Sequence, residues 1–305
     1  MLNILEFIFL SLAFTVTFTG VLISKYENHL PAFVIKGYKY GNFAYQGSGG
    51  NFLQIIEIPK AYYRHFYLFS SVLSVFTLGY MFVVYYFDCG VSRYIQFVLK
   101  LLLEQHEPSV SVTAAIIAMC LLTMQCSRRL YETYFLQVFA KSSKMNLSHY
   151  LAGIIHYFGC IVTVFGQAPL VLDTRPKEKV NWTDTYTTIL SVPCVLVFLW
   201  CWQEQLKTNI IFANMRKDKK SGKVVTEDHG IPHGRMFEKV SSPHRLCEVI
   251  MYTVLVLLIP TKTFFCIYLW VLGNQIQTAI QAHEWYKKTF KNYPVNRHAI
   301  FPGVL

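Results

Sequence analysis

Three polar clusters interrupt an otherwise apolar chain of 305 residues, and they are where chemistry could be done. The first is Glu57-Ile-Pro59, followed by Tyr62, Tyr63, Arg64 and His65. The second is Ser127-Arg128-Arg129-Leu-Tyr131-Glu132. The third runs from Gln203 to Glu248. It opens on Gln203, Glu204, Gln205, Lys207 and Asn209, passes Arg216-Lys217, and closes on Phe237-Glu238-Lys-Val240-Ser-Ser-Pro-His244 and Glu248. The tail adds His283-Glu-Trp285-Tyr286-Lys287, Phe290, Tyr293-Pro294 and Arg297. Arginine and lysine suit phosphates, amides suit a carboxamide, and aromatic faces suit rings, so this interleaving fits a dinucleotide. No G-x-G-x-x-G follows a strand pattern, which argues against a Rossmann site. The first two clusters also have a plainer reading, as an interfacial aromatic belt with a snorkelling arginine and as a positive anchor neutralised by Glu132.

Metal chemistry is not indicated. His229-x-x-x-His233 straddles Gly-Ile-Pro232 and cannot form one helical face, and the other histidines are scattered. Eight cysteines lie mostly inside apolar runs without a C-x-x-C pair, so neither a zinc site nor a disulfide framework is expected.

The elements that must position these clusters are apolar helices. Hydrophobic residues make up 53% of the chain and charged residues 15%, against about a quarter charged in soluble proteins. A span needs about 20 mostly apolar residues. Runs at 2–23, 66–87, 109–126, 148–171, 186–206, 247–260 and 263–281 meet or approach that, and 94–103 reads as a helix lying at the interface. The first run lacks a basic leader and a small-residue cleavage site, so it reads as a retained signal anchor. The expected fold is all-α: a polytopic membrane bundle of about seven helices in a single domain over 1–305.

The net charge of +11 points to loop bias rather than to nucleic acid, because the basic residues sit between apolar runs. Alternate loops, at 24–65, 127–146, 207–246 and after 281, hold 22 lysines and arginines, and the opposite loops hold six. This places the C-terminus in the cytosol and all three polar clusters on that side. The sequon Asn181-Trp-Thr183 then falls on the lumenal side. A Gly- and Tyr-rich stretch over 37–51 reads as a flexible loop, and 219–222 as a solvated turn.

Several motifs together resemble the steroid 5α-reductase family, from about Glu57 to Leu305. They are Val240-Ser-Ser-Pro with Glu248 five residues later, His283-x-Trp-Tyr-Lys, and Tyr293-Pro-x-x-Arg297-x-Ala-x-x-Pro302. Ser127-Arg-Arg-Leu-Tyr-Glu, Asn214-Met-Arg-Lys217 and Pro59-Lys-x-Tyr-x-x-His-Phe-Tyr67 are similar to the branch acting on long-chain polyisoprenoids. The resemblance implies a seven-span enzyme of the endoplasmic reticulum that uses NADPH to reduce a carbon–carbon double bond conjugated to a carbonyl. For this branch the product is the dolichol carrier of N-glycosylation, with 3-oxo-4-ene steroids as further candidate substrates. The implied partners are a polyisoprenoid and membrane lipids, with no obligate protein partner.

Carried over by position, the resemblance implies cofactor contacts at Gln205, Asn209, Arg216, His244, Glu248, His283, Tyr286 and Arg297, in a C-terminal part over about 201–305. The first 200 residues then form the substrate side. Glu57 aligns with the glutamate that holds the substrate carbonyl. Three positions depart from the family pattern. Gly230 stands where an arginine is usual, leaving Arg235 or Lys217 to meet a phosphate. His244 replaces an asparagine. Cys126 replaces the catalytic tyrosine of the third span, leaving Tyr131 or His65 to stand in.

Hydride adds poorly to an isolated alkene but well to the β-carbon of an enal, where charge flows onto oxygen. This favours a polyprenal over the alcohol, with a protonated Glu57 donating to the oxygen. Two rivals remain. An isoprenylcysteine methyltransferase-like enzyme would bind S-adenosylmethionine instead, and a seven-span receptor would not need the aromatic, histidine and arginine series of the tail.

Overall fold

The computed structural model describes residues 2–31, 57–87, 89–103, 110–139, 143–169, 185–218, 223–226 and 228–305, with 34, 35, 38, 171, 172 and 221 between them. Most of the loop expected at 37–51, the sequon at 181–183 and most of the turn at 219–222 lie outside these residues.

Eight α-helices with defined bounds make up the fold among the described residues: α1 Ile4–Tyr26, α2 Tyr63–Tyr86, α3 Arg93–Leu103, α4 Val112–Tyr131, α5 Leu147–Gly166, α6 Thr185–Asn214, α7 Pro243–Leu258 and α8 Lys262–Thr289. All seven expected runs fall on helices, and the interface helix falls on α3. Four helical stretches among the described residues are long and apolar enough to cross a bilayer: Ile4–His29, Lys60–Tyr86, Leu147–Gly166 and Ile189–Asn214. The other three are less apolar for physical reasons. α4 buries Thr113, Gln125 and Arg128 against its neighbours. α7 has only 16 residues, about 24 Å of rise, and starts with Pro243 at its first turn. α8 carries Asn274, Gln275, Gln277 and Gln281 along its second half.

α6 is longer than the sequence pattern suggests. Its 30 residues rise about 45 Å, half as much again as the hydrocarbon core, so its last turns with Gln205 and Asn209 continue the helix rather than open a loop. Pro193 sits inside it.

Lipid-facing and inward-facing sides separate cleanly on α1. Phe14 and Phe18 are 66% and 49% exposed and stack on each other, while Leu5, Phe9 and Ile23 are buried. α1 packs along α8 and α6 packs along α7. A small residue permits a close approach of α1 to α5: a Cβ on Gly159 would lie 2.4 Å from the Phe9 ring. α1 starts with a capping box, in which Asn3 Oδ1 accepts from the Glu6 amide at 2.8 Å and Glu6 reaches back to the Asn3 amide. The Asn3 amide group also donates to Leu103 O at 3.1 Å and Thr263 Oγ1 at 2.8 Å, tying α1 to α3 and α8.

A two-stranded antiparallel pair, β1 Glu57–Pro59 with β2 Lys144–Asn146, joins the starts of α2 and α5. Asn146 then caps α5, accepting from Ser148 N at 2.9 Å.

Asn3→Ala removes a cap and leaves two buried partners without their donor. It should lower stability by about 1–2 kcal/mol, read as a lower thermal midpoint in detergent.

Candidate active site

The starts of α2, α5 and α7 and the ends of α1, α4, α6 and α8 surround a cavity of about 1180 Å³. Small-ligand pockets usually span about 300–1,000 Å³, so there is room for two ligands side by side. Its wall divides by chemistry. Leu12, Val16, Ala152, Gly153 and Val271 form an apolar side. Gln205, Asn209, Arg216, Arg245, Glu248 and Gln275 form a polar one.

The polar side is built on two carboxylates, one buried and one half-buried. Glu132, wholly buried, ends α4 where the helix widens into a π turn, Glu132–Leu136. Its carboxylate is paired with Arg129, lies 3.4 Å from Arg128 Nε, and accepts from Asn209 Nδ2 at 2.9 Å. Arg129 also donates to the Tyr67 hydroxyl oxygen from Nε at 3.3 Å and Nη2 at 3.1 Å. Glu248 is held by side-chain amides. Gln125 Nε2 donates to it at 3.1 Å, and so does Gln205 Nε2. Gln205 in turn accepts from Arg128 and from Gln125 Nε2 at 3.0 Å, and donates to His244 O at 2.9 Å. The Gln205 amide thus relays the Arg128 charge to Glu248 across three helices.

Carbonyls of the π turn and of the residues just after it are collected by cations. Arg64 Nε donates to Thr133 O at 3.1 Å, Lys217 Nζ to Leu136 O at 2.9 Å, and Arg216 Nη1 to Val138 O at 3.0 Å. Arg216 Nη2 also donates to His229 Nδ1 at 2.8 Å. Burial, with Arg216 and Lys60 nearby, pushes the His229 pKa down to about 4, so at neutral pH the ring is an acceptor.

Of the residues singled out from the sequence, Glu57, Gln205, Asn209, Arg216, His244, Glu248 and Tyr286 line the cavity. Four others do not. Tyr131 is 55% exposed and packs against Phe135, and His65 is exposed against Tyr62 and Tyr150, so neither faces the cavity as a stand-in for the missing tyrosine. His283 is bonded through Nδ1 to Ser241 Oγ at 2.6 Å. Arg297 is buried, donates to Pro232 O at 2.9 Å and lies over the Tyr293 ring, pinning the tail to the 232 loop. Cys126 is fully buried. The phosphate substitutes are also engaged elsewhere, Arg235 with Glu204 and Lys217 with the π turn. Arg235 reaches Glu204 from a left-handed φ of 53°. The expected apolar setting of Glu57 is not found: Lys144 Nζ lies 3.1 Å from its carboxylate, diagonally across the strand pair. Sequence reasoning missed Tyr67, Arg245 and Gln275. Tyr67 lay in plain view at the end of the Pro59–Tyr67 run.

The donor set fits a dinucleotide phosphate. Two lining side chains, His244 at Nδ1 and Arg245 at Nε, have buried nitrogens with no hydrogen-bond partner among the described residues. Arg245 also holds Gln275 at 2.9 Å, and Phe212, Tyr286 and the His244 ring supply aromatic faces. Among the described residues no group of histidines, cysteines and carboxylates could hold a metal.

Sequence comparisons place this helical bundle and its polar seam among oxidoreductases of the steroid-reducing class. Residues 176–305 match the family model for 3-oxo-5-alpha-steroid 4-dehydrogenase. The whole chain is 34% identical to polyprenal reductase of Drosophila melanogaster, covering 100% of this chain and 94% of the fly protein. The Caenorhabditis elegans polyprenal reductase is 32% identical over 87% of this chain and 85% of its own length, and the Homo sapiens protein 26% over 81% and 77%. The chain belongs to the polyprenal reductase family within the steroid 5α-reductase group.

Glu132→Ala would strand two guanidiniums in the bundle and should cost about 3–5 kcal/mol, whereas Asn209→Ala should cost about 1–3 kcal/mol. Thermal unfolding of the two variants in detergent checks the order.

Proposed function

We propose that this protein reduces the double bond next to the aldehyde of long-chain polyprenals, giving dolichals with NADPH as reductant. The observation that carries this reading is a cavity lined both by apolar side chains and by arginines and amides, in a chain related along its whole length to polyprenal reductases. We place it in the endoplasmic reticulum membrane with seven spans, the C-terminus and the cavity's polar end on the cytosolic side, and a lateral opening between helices for the long tail. The asymmetry of lysine and arginine between alternate loops supports that orientation.

When bound, NADPH supplies a hydride to the substrate's β-carbon. The protein's own work is to bind, orient and compensate charge. Arg216 and Arg245 would meet phosphates, with Gln205, Asn209 and Gln275 around them. Charge developing on the aldehyde oxygen needs a donor already in place. Lys144 at the cavity wall is such a donor, and Glu57 holds it there. In this reading Glu57 positions the ammonium instead of donating a proton itself.

Purified enzyme with NADPH, given polyprenal, polyprenol and a 3-oxo-4-ene steroid separately, should yield saturated product from the aldehyde first, scored by mass spectrometry. Equal turnover of the alcohol with no oxidising partner would refute the aldehyde as immediate substrate.

Glu57→Gln should lower the reduction rate while leaving NADPH affinity near wild type. Arg216→Ala should weaken NADPH binding about tenfold or more, at 1.4 kcal/mol per decade. Equal affinity losses in both would remove these assignments.

A further inference from the structure

We infer that Tyr67 is the proton donor of the reduction, with Arg129 as its positioning residue. The inference rests on the proposed enal chemistry and adds the group that such chemistry leaves unnamed. Hydride addition to the β-carbon pushes the alkene electrons toward the carbonyl and forms an enolate. The α-carbon of that enolate must then take a proton.

The cavity holds several acids, Tyr63, Tyr157, Tyr286 and Glu248 among them; Glu248 accepts from two amides, and three others are bonded elsewhere. Glu57 is ion-paired with Lys144. The Tyr252 hydroxyl is 2.6 Å from His156 Nε2, and Tyr38 donates its proton to Val16 O at 3.0 Å. Tyr67 differs. Its oxygen accepts from two nitrogens of Arg129, at 3.3 and 3.1 Å, while its ring lies on the cavity wall. A guanidinium has only donors, so it occupies the oxygen's acceptor positions and leaves the phenol proton for another partner. The same contact stabilises the phenolate that proton transfer leaves behind. Arg129 is itself fixed: Glu132 pairs with it, and Asn209 holds Glu132 at 2.9 Å. The line Asn209, Glu132, Arg129, Tyr67 therefore runs from the polar wall to the reacting space.

The step balances. Hydride forms the C–H bond at the β-carbon, and the α-carbon bonds the proton from the Tyr67 hydroxyl. The phenolate faces Arg129 until water returns a proton. The sum is unsaturated aldehyde, reduced nicotinamide and one proton giving saturated aldehyde and oxidised nicotinamide. Tyr67 of α2 lines the cavity, while Cys126 on α4 is sealed in the core.

The test combines two variants with a labelling readout. Tyr67→Phe should lower kcat about 10²–10⁴-fold with NADPH affinity within twofold of wild type. In deuterium oxide, wild type should place deuterium on one face of the α-carbon, and residual Tyr67→Phe turnover should scramble it. If Tyr67→Phe does not fold, 3,5-difluorotyrosine at position 67 keeps the shape and makes the phenol more acidic. The alkaline limb of the pH–rate profile should then move to lower pH, and its fluorine resonance should titrate over the same range without substrate. Stereospecific labelling by Tyr67→Phe, a kcat within threefold of wild type, or an unmoved alkaline limb would each overturn the assignment. Absence of NADPH-dependent turnover of polyprenal by wild type would instead overturn the reaction on which it rests.

Discussion

The structure depends on one buried carboxylate. Glu132 has no exposure and sits at the junction of α4 with the π turn. Such a group is tolerated only if it is paired and hydrogen-bonded. Arg128 and Arg129 come from its own helix and Asn209 from α6. Each arginine then passes the constraint outward. Arg129 fixes Tyr67 of α2, and Arg128 acts through Gln205 on Glu248 of α7. Four helices are thereby held in one register, because a shift of one turn in any of them would leave a charge unpaired.

This arrangement explains why the helices divide into two kinds. α1, α2, α5 and α6 are long and apolar enough to face lipid on one side. α4, α7 and α8 carry the amides, hydroxyls and charges of the interior, and their neighbours supply the apolar cover. Polar residues at membrane depth sit inside the bundle or beside the cavity, as the cost of exposing them to hydrocarbon requires.

Apolar run length is a one-dimensional property, and the helices were legible from it in all seven runs. The cavity-lining residues Gln205, Asn209, Arg216, His244 and Glu248 were legible as a cluster because they lie close together in sequence. What could not be read was partnership. Nothing in the sequence shows that Lys144 reaches Glu57, that Arg297 is spent on Pro232 O, or that Arg216 holds Val138 O and His229. Tyr131 and Tyr67 look alike as tyrosines near arginines. They differ in the direction in which their helices present them, one outward and one to the cavity, and helix rotation is weakly encoded where both faces are aromatic.

The N-terminal helix α1 is held chiefly by α8, the last helix, with a touch on α5 at Gly159. Both α1 and α8 line the cavity. The enclosure is therefore closed by contacts between residues separated by almost the full length of the chain. Such non-local contacts form late, since the loop entropy must be spent first. During synthesis α1 can meet only α3 and α5 until α8 is made. Until then the cavity is an open trough, and it becomes a chamber only when α8 packs along α1.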